Sequence, residues 1–198
     1  AVRLLIADGL NDCAIARSTG IPRTTIRGWR QGAGCSQRPN VDTPCGTEHS
    51  FRDLPPRAYA YLLGLYLGDG WIARARRVWR MRIVLDNKYP GIIEACRSAM
   101  DAVMPGQHAA LHSRKGCVEV GMYSKHWPCL FPQHGPGRKH TRPIRLEPWQ
   151  QAIVGQADED FVRGLIDSDG CRVVANDRGV RSVRYHFTNH SEDILGLF

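Results

Sequence analysis

The sequence predicts a mixed α/β fold (α+β) made of two similar halves, preceded by a small all-α helix-turn-helix. The first observation is a repeat, because the stretch from Leu62 to Gly70 (LLGLYLGDG) recurs 100 positions later, from Val162 to Gly170 (VRGLIDSDG). The second is a change of period after each copy, from an apolar helical pattern to the alternating residues of strands. The third is an N-terminal segment with the turn and spacing of a helix-turn-helix.

Each copy of the repeat predicts a short apolar helix with a small residue at every fourth position and an Asp-Gly helix stop. The small residues are Gly64 and Gly68 in the first copy, and Gly164 and Ser168 in the second. Residues four apart share one helix face, so two such helices are able to cross almost backbone to backbone.

If the two helices cross each other, the acids that end them, Asp69 and Asp169, lie side by side. Two carboxylates about 4 Å apart repel by roughly 4 kcal/mol at an effective dielectric of about 20. Either one of them then binds a proton, or a divalent cation lies between them. The alternative is two unrelated amphipathic helices with glycine caps. Two copies at domain-length spacing, each followed by an Arg-rich strand pattern, favour a true repeat.

The composition indicates a globular protein with a phosphate-rich partner. The 198 residues are 42% hydrophobic and carry a formal net charge of +8, and only four of the 27 basic residues are lysine. Arginine binds phosphate through paired hydrogen bonds, so its excess favours nucleic acid, although a GC-rich genome also raises arginine content. No apolar run approaches the roughly 18 residues of a membrane span, and no signal peptide opens the chain. We therefore expect a cytoplasmic, nucleoid-associated protein of bacterial or phage type without a membrane partner.

The seven cysteines are an odd, scattered set without the spacing of a disulfide framework, which indicates a reducing compartment. The only cluster of potential metal ligands in the sequence is Cys35, Cys45 and His49. Its C-x9-C-x3-H spacing matches no standard zinc pattern and supplies three ligands rather than four. A zinc site is therefore not expected.

Residues 1–33 predict the helix-turn-helix domain. One helix over about 2–7 and a second one capped by Asn11 or Asp12 precede a turn at Gly20, and residues 23–30 form the third helix. Ile26 and Trp29 lie three apart and share the buried face of that helix. The alternative is a helical hairpin that only packs on the main domain. The residues that face outward, where a recognition helix meets bases and phosphates, are Arg23, Thr24 and Arg27.

We expect residues 34–56 to form a linker, residues 57–147 the first half, and residues 148–198 a truncated second half. Because the second half is shorter than the first, either the sequence is a fragment or this copy never completes its sheet. Alternation predicts strands at about 78–85, 107–113, 117–123, 171–174 and 181–188. In the last strand we expect Val183, Tyr185 and Phe187 to face the core. The basic residues expected on the outward, DNA-facing side of the two halves are Arg74, Arg76, Arg80, Arg82, Lys139, Arg184 and His186.

The paired motifs resemble the LAGLIDADG homing endonuclease family, in its single-chain, two-motif form, over about residues 57–198. The resemblance implies a pseudo-twofold LAGLIDADG fold of two αββαββα halves, the second incomplete, in a monomer that lays curved sheets along the DNA major groove. It also implies that Asp69 and Asp169 bind Mg²⁺ or another divalent cation, with the carbonyls of Gly68 and Ser168 as supporting ligands.

The same resemblance assigns accessory roles to three polar residues. Asn87 and Asn189 follow corresponding strands of the two halves, where the family has a side chain that orients solvent beside the metal. Lys125 follows the strand near 117–123, where the family has a lysine that stabilises developing phosphate charge. The alternatives are an ordinary turn or helix-cap role for the two asparagines, and a surface lysine at a helix start.

Two functions remain open at this point. The first is a Mg²⁺-dependent, site-specific endonuclease that hydrolyses double-stranded DNA, favoured by the retention of both Asp69 and Asp169. The second is a sequence-specific transcription regulator built on a non-cleaving LAGLIDADG domain, favoured by the helix-turn-helix and the short second half. An intein insert is a weaker third, because the ends carry no splicing residues.

Overall fold

The computed structural model describes residues 2–31 and 43–198, which fall into two units, Ala1–Asp42 and Thr43–Phe198. The boundary lies inside the segment that we predicted as a linker, and residues 43–56 belong to the second unit. Cys35, one of the three residues of the metal-like cluster, lies outside the described residues.

Residues 2–31, the described part of the first unit, form three helices around two isoleucines. Asn11 caps the second helix by accepting a hydrogen bond from the backbone, and Gly20 adopts a left-handed φ of 71° at the turn. Ile15 and Ile26 are completely buried, and Trp29 is half-buried beside them. The helices are α1 (Val2–Ala7), α2 (Asp12–Thr19) and α3 (Arg23–Arg30).

The second unit combines a four-stranded antiparallel sheet, a two-stranded hairpin and helices. Its elements are α4 (Pro56–Gly68), β1 (Trp71–Arg74), β2 (Trp79–Asp86), α5 (Pro90–Val103), β3 (Ala110–Arg114), β4 (Cys117–Ser124), α6 (Trp127–Leu130), α7 (Pro148–Val154), α8 (Asp158–Asp169), β5 (Gly170–Asp177), β6 (Val180–Phe187) and α9 (Glu192–Leu195). Two 3₁₀ turns cover Phe51–Asp53 and Lys139–Thr141. Among the described helices, none has the length and apolar character needed to cross a membrane.

The four-stranded sheet has the order β1-β2-β4-β3 and two faces of different character. On one face Met81, Ile83 and Leu85 of β2 are buried in the core that includes α4 and α5. On the other face Arg82 is exposed and lies opposite Trp71 of β1. The alternation near residues 78–85 therefore predicted correctly which side chains of β2 share a face, because successive strand residues point to opposite faces.

The expectation of a buried face on the hairpin β5-β6 was wrong for two of its three residues. Val183 and Tyr185 are 48% and 58% exposed, and only Phe187 is partly buried, with its ring stacked 4.8 Å from that of Phe198. Within the part of the chain that the structure describes, β5 and β6 pair only with each other. Alternation predicts which residues share a face, but burial requires a second layer over that face.

The glycines after the two motif acids lie where the two helices end, and each passes close to the backbone of its own helix. Gly170 is extended, with φ −102° and ψ 174°, and begins β5. A Cβ on Gly170 would lie 2.6 Å from the Cα of Ile166, and one on Gly70 would lie 2.5 Å from the Cα of Tyr66. In both copies glycine is required because the chain passes closely over the last turn of its own helix.

The two motif helices α4 and α8 cross with their backbones in contact. A Cβ on Gly64 would lie 2.7 Å from the backbone nitrogen of Leu165, and one on Gly164 would lie 3.1 Å from the Cα of Gly64 and overlap the Tyr61 carbonyl oxygen. These obstacles are backbone atoms, which cannot rotate away as side chains do. The crossing therefore depends on glycine at both positions.

We expect Gly164→Ala to destabilise the protein by about 1–3 kcal/mol, because the added methyl forces the two helices apart. Urea denaturation measures the change. The matched control is Gly91→Ala in the first turn of α5, where an added Cβ meets no atom within 4 Å. That control should be neutral or stabilising by up to about 1 kcal/mol. Equal stabilities for the two variants would contradict the close crossing.

Candidate active site at the helix crossing

The crossing brings the carboxyl ends of α4 and α8 together, so that Asp69 and Asp169 line one cleft of about 540 Å³. A Cβ on Gly68 would lie 3.2 Å from Oδ2 of Asp169, which places the second acid against the last residue of α4. Partial burial and the negative charge of Asp169 raise the pKa of Asp69, while Lys139 lowers it. The structure thus brings the two predicted acids together.

Lys139 approaches this acid pair from the 3₁₀ turn of the Pro/Gly-rich crossover. Its Nζ donates hydrogen bonds to the carbonyl oxygens of Tyr66 at 2.6 Å, Leu67 at 3.0 Å and Gly68. An ammonium has three N–H donors, and three carbonyls of the α4 terminus occupy them. Lys139, expected on the DNA-facing side, therefore caps α4, and the Gly68 carbonyl that the resemblance assigned to a metal accepts from this lysine instead.

The environment of Lys139 combines burial with nearby charge. The net effect lowers the pKa of Lys139 to about 8. Desolvation is the largest cause and Arg142 also lowers this pKa, whereas the carboxylates of Asp169 and Asp69 raise it. At neutral pH the side chain is mostly protonated. A cation at a helix C-terminus is favourable, and this one also offsets the repulsion between the two acids.

Asn189 is the accessory residue that the structure brings to the acids. Its Nδ2 donates to Oδ2 of Asp169 at 2.6 Å, and its Oδ1 accepts from the backbone N–H of Ser191 at 2.8 Å. Because both ends of the amide are bonded, the side chain orients Asp169 within the cleft. The oxygen of the Ser168 side chain is turned back onto α8, where it donates to the carbonyls of Gly164 and Leu165.

The other two accessory residues lie elsewhere. Asn87 is exposed in the turn after β2, where its backbone N–H donates to the Gly116 carbonyl at 3.3 Å. Lys125 is exposed after β4, and its Nζ donates to Oγ1 of Thr47 at 3.3 Å. The described structure thus gives neither side chain a contact with the acid pair.

A basic, partly aromatic surface covers the face of the sheet that points away from the helices. Arg82 is exposed beside Trp71, whereas Arg80 is half-buried, forms an ion pair with Glu119 and lies 5.3 Å from the ring centre of Tyr123. Glu119 itself is only 2% exposed and also accepts from Arg114 at 2.9 Å. Arg76 is exposed in the β1–β2 turn next to this surface, whereas Arg74, the exposed last residue of β1, pairs with Trp79 on the opposite face of the sheet.

The remaining predicted DNA contacts are on the hairpin and the N-terminal unit. Arg184 forms an ion pair with Asp177, and His186 is exposed on the same strand. In the first unit Arg23 and Thr24 are exposed along α3. Arg27 is exposed as well, with Nε 3.8 Å from a carboxylate oxygen of Asp12.

Comparison with known proteins adds little to this geometry. No family model matches the chain, and no curated protein sequence matches it. Among solved structures, the chain is similar to the homing endonuclease I-WcaI bound to its DNA recognition sequence, with 18% identity and a TM-score of 0.39. The similarity covers 59% of this chain and 52% of that chain, so this sequence spans about half the length of the structure that it matches.

We expect Lys139→Met to raise the pKa of Asp69, because the ammonium is the group that lowers it. The carboxyl ¹³C shift of Asp69 followed against pH measures the change. The control is Lys88→Met, which removes the same charge from an exposed position after β2. An Asp69 titration that is identical in wild type and Lys139→Met would contradict the placement of the lysine.

Proposed function

We propose that the protein is a site-specific DNA endonuclease of homing type that hydrolyses phosphodiester bonds of double-stranded DNA at the Asp69–Asp169 pair. The observation that carries this proposal is the convergence of the two acids in one cleft at the ends of two helices whose backbones touch. One acid comes from each motif copy, so each copy would serve one DNA strand in a monomer with internal pseudo-twofold symmetry.

The donor set at the crossing fits a hard divalent cation such as Mg²⁺. Carboxylate oxygens are among the ligands that such ions prefer, and Asp69 and Asp169 supply them within one cleft. A divalent ion held there supplies Lewis-acid chemistry, which polarises a phosphate and lowers the pKa of water. Asp69 and Asp169 would bind the ion, and Asn189 holds Asp169 in place.

The other residues of the chain would bind and orient the DNA. The exposed Arg82 and the arginines of the β1–β2 turn offer guanidinium groups to phosphates, and Trp71 and Tyr123 offer apolar surface between them. Glu119 holds Arg80 and Arg114 on the same face of the sheet. In the first unit, Arg23 and Thr24 on α3 would add base and phosphate contacts.

We expect Asp69→Asn and Asp169→Asn each to abolish metal-dependent cleavage while leaving DNA affinity unchanged or slightly higher, since each removes a negative charge from the cleft. The assay uses a duplex selected for binding in EDTA and then supplied with Mg²⁺. The control is Asp53→Asn, on the exposed 3₁₀ turn before α4. Unchanged cleavage by Asp69→Asn would remove the acid pair from the chemistry.

We expect Arg82→Ala to weaken DNA binding and to reduce the slope of log affinity against log salt by about 0.9, the value for one lost phosphate contact. Fluorescence anisotropy at several salt concentrations measures the slope. The control is Arg97→Ala, which removes an equal charge from α5, where Arg97 pairs with Glu94. Equal slopes for the two variants would exclude the exposed face of the sheet as the DNA surface.

One observation favours a second function, that of a sequence-specific DNA-binding regulator that does not cleave. Lys139 already places a cation beside both acids and occupies the terminal carbonyls of α4. Because Lys139 offsets the negative charge of the two acids, the helix crossing stays folded without a divalent ion. Specific binding that is unchanged by EDTA, with no cleavage in Mg²⁺, would select this second function over the first.

A further inference from the structure

A second cluster of side chains lies away from the acid pair, in the segment before α4. The Sγ of Cys45, a ring nitrogen of His49 and the Sγ of Cys129 lie within 4.8 Å of one another. The Cys45 Sγ and the His49 Nε2 are 2.9 Å apart. In a tetrahedral zinc site, metal–ligand distances of about 2.0–2.3 Å place the ligand atoms roughly 3.3–3.8 Å apart. The separations fall on either side of that spacing, so small side-chain adjustments would bring the three donors onto one ion.

A second histidine ring, that of His126, lies next to this cluster of three. The ring of His126 meets that of His49 edge to face, with the ring centres 5.0 Å apart. Its Nδ1 is buried and has no hydrogen-bond partner among the described residues. A buried ring nitrogen without a partner costs free energy unless something binds it, and a metal ion is one group that does so.

The four residues come from two short segments that are far apart in the sequence. Cys45 and His49 form a C-x3-H pair that precedes α4, and His126 and Cys129 form an H-x2-C pair at the start of α6. Two close pairs brought together by the fold are the usual arrangement of a structural zinc site. The set shares Cys45 and His49 with the Cys35, Cys45 and His49 cluster of the sequence, at which no zinc site was expected.

We propose that Cys45, His49, His126 and Cys129 bind one structural Zn²⁺ ion that fastens the segment before α4 to the end of β4 and the start of α6. Two thiolates with two imidazoles form a closed tetrahedral donor set, which suits zinc rather than the hard cation proposed for the acid pair. The site is independent of DNA cleavage, and its role is to hold the fold together.

The thiol chemistry of the cluster agrees with this assignment. Desolvation raises the pKa of the Cys45 thiol, but hydrogen bonds from His49, Thr43, His126 and Cys129 outweigh it and lower the pKa to about 5. Burial raises the pKa of Cys129 to about 11.

The segment that the ion would fasten has little regular structure of its own. Gly46 turns the chain with a φ of 65°, and the side chain of Thr43 bonds to the backbone of Thr47 at both N–H and carbonyl. The next residues attach by stacking, with the ring of Phe51 3.9 Å from that of Trp149. Fastening this segment fixes the entry into α4 and hence the helix that carries Asp69.

The first measurement is the metal content of the full chain, purified without chelator, by inductively coupled plasma mass spectrometry. We expect about one zinc per chain in wild type and in Cys171→Ser, a control in which an exposed cysteine outside the cluster is changed. Cys129→Ser should have lost its zinc, and His126→Gln should release zinc to a chromogenic chelator faster than wild type. Zinc-free wild type, or equal zinc in Cys129→Ser and Cys171→Ser, would overturn the proposal.

A second measurement uses wild-type protein only, in case the ligand variants do not fold. Chelator treatment should lower the melting temperature, and added Zn²⁺ should restore it. Added Co²⁺ should produce the visible bands of a tetrahedral ion together with a sulfur-to-cobalt charge-transfer band. A Cys45–Cys129 disulfide in the purified, unreduced protein, or a melting temperature that is indifferent to the chelator, would contradict the site.

Discussion

The backbone contact between Gly64 and Gly164 is the constraint on which the rest of the second unit depends. Because no side chain separates α4 from α8 at that point, the two helices end side by side, and the position of each terminal acid follows from backbone geometry. An acid pair carried by flexible loops would move apart to relieve its repulsion. Here the packing of two helices holds the carboxylates together, and the surrounding residues must compensate the charge.

Lys139 supplies part of that compensation. It brings one positive charge to two carboxylates, but desolvation and the charge of Asp169 still raise the pKa of Asp69. A DNA phosphate entering the cleft would add another negative charge. A proton or a divalent cation must then accompany it. Lys139 therefore offsets the two acids of the free protein but leaves the added charge of a phosphate without a partner.

The features that could be predicted from the sequence are those set by local pattern. The Gly20 turn, the caps of the first unit, the alternation of β2 and the small-residue faces of α4 and α8 all depend on residues a few positions apart. The roles of Lys139 and of His126 with Cys129 depend on contacts across more than 70 residues, and no spacing rule reports them. The error at Val183 and Tyr185 has a different cause, because a strand pattern indicates faces and not what covers them.

The proposed endonuclease would bind a divalent cation at Asp69 and Asp169, in the cleft that Lys139 also lines. Electron paramagnetic resonance of Mn²⁺ added to the DNA-bound chain tests this most directly. The endonuclease account predicts a bound Mn²⁺ signal in wild type and in the hairpin control Asp177→Asn, and its loss in Asp169→Asn. Equal binding by wild type and Asp169→Asn, or no bound Mn²⁺ in wild type, would contradict it.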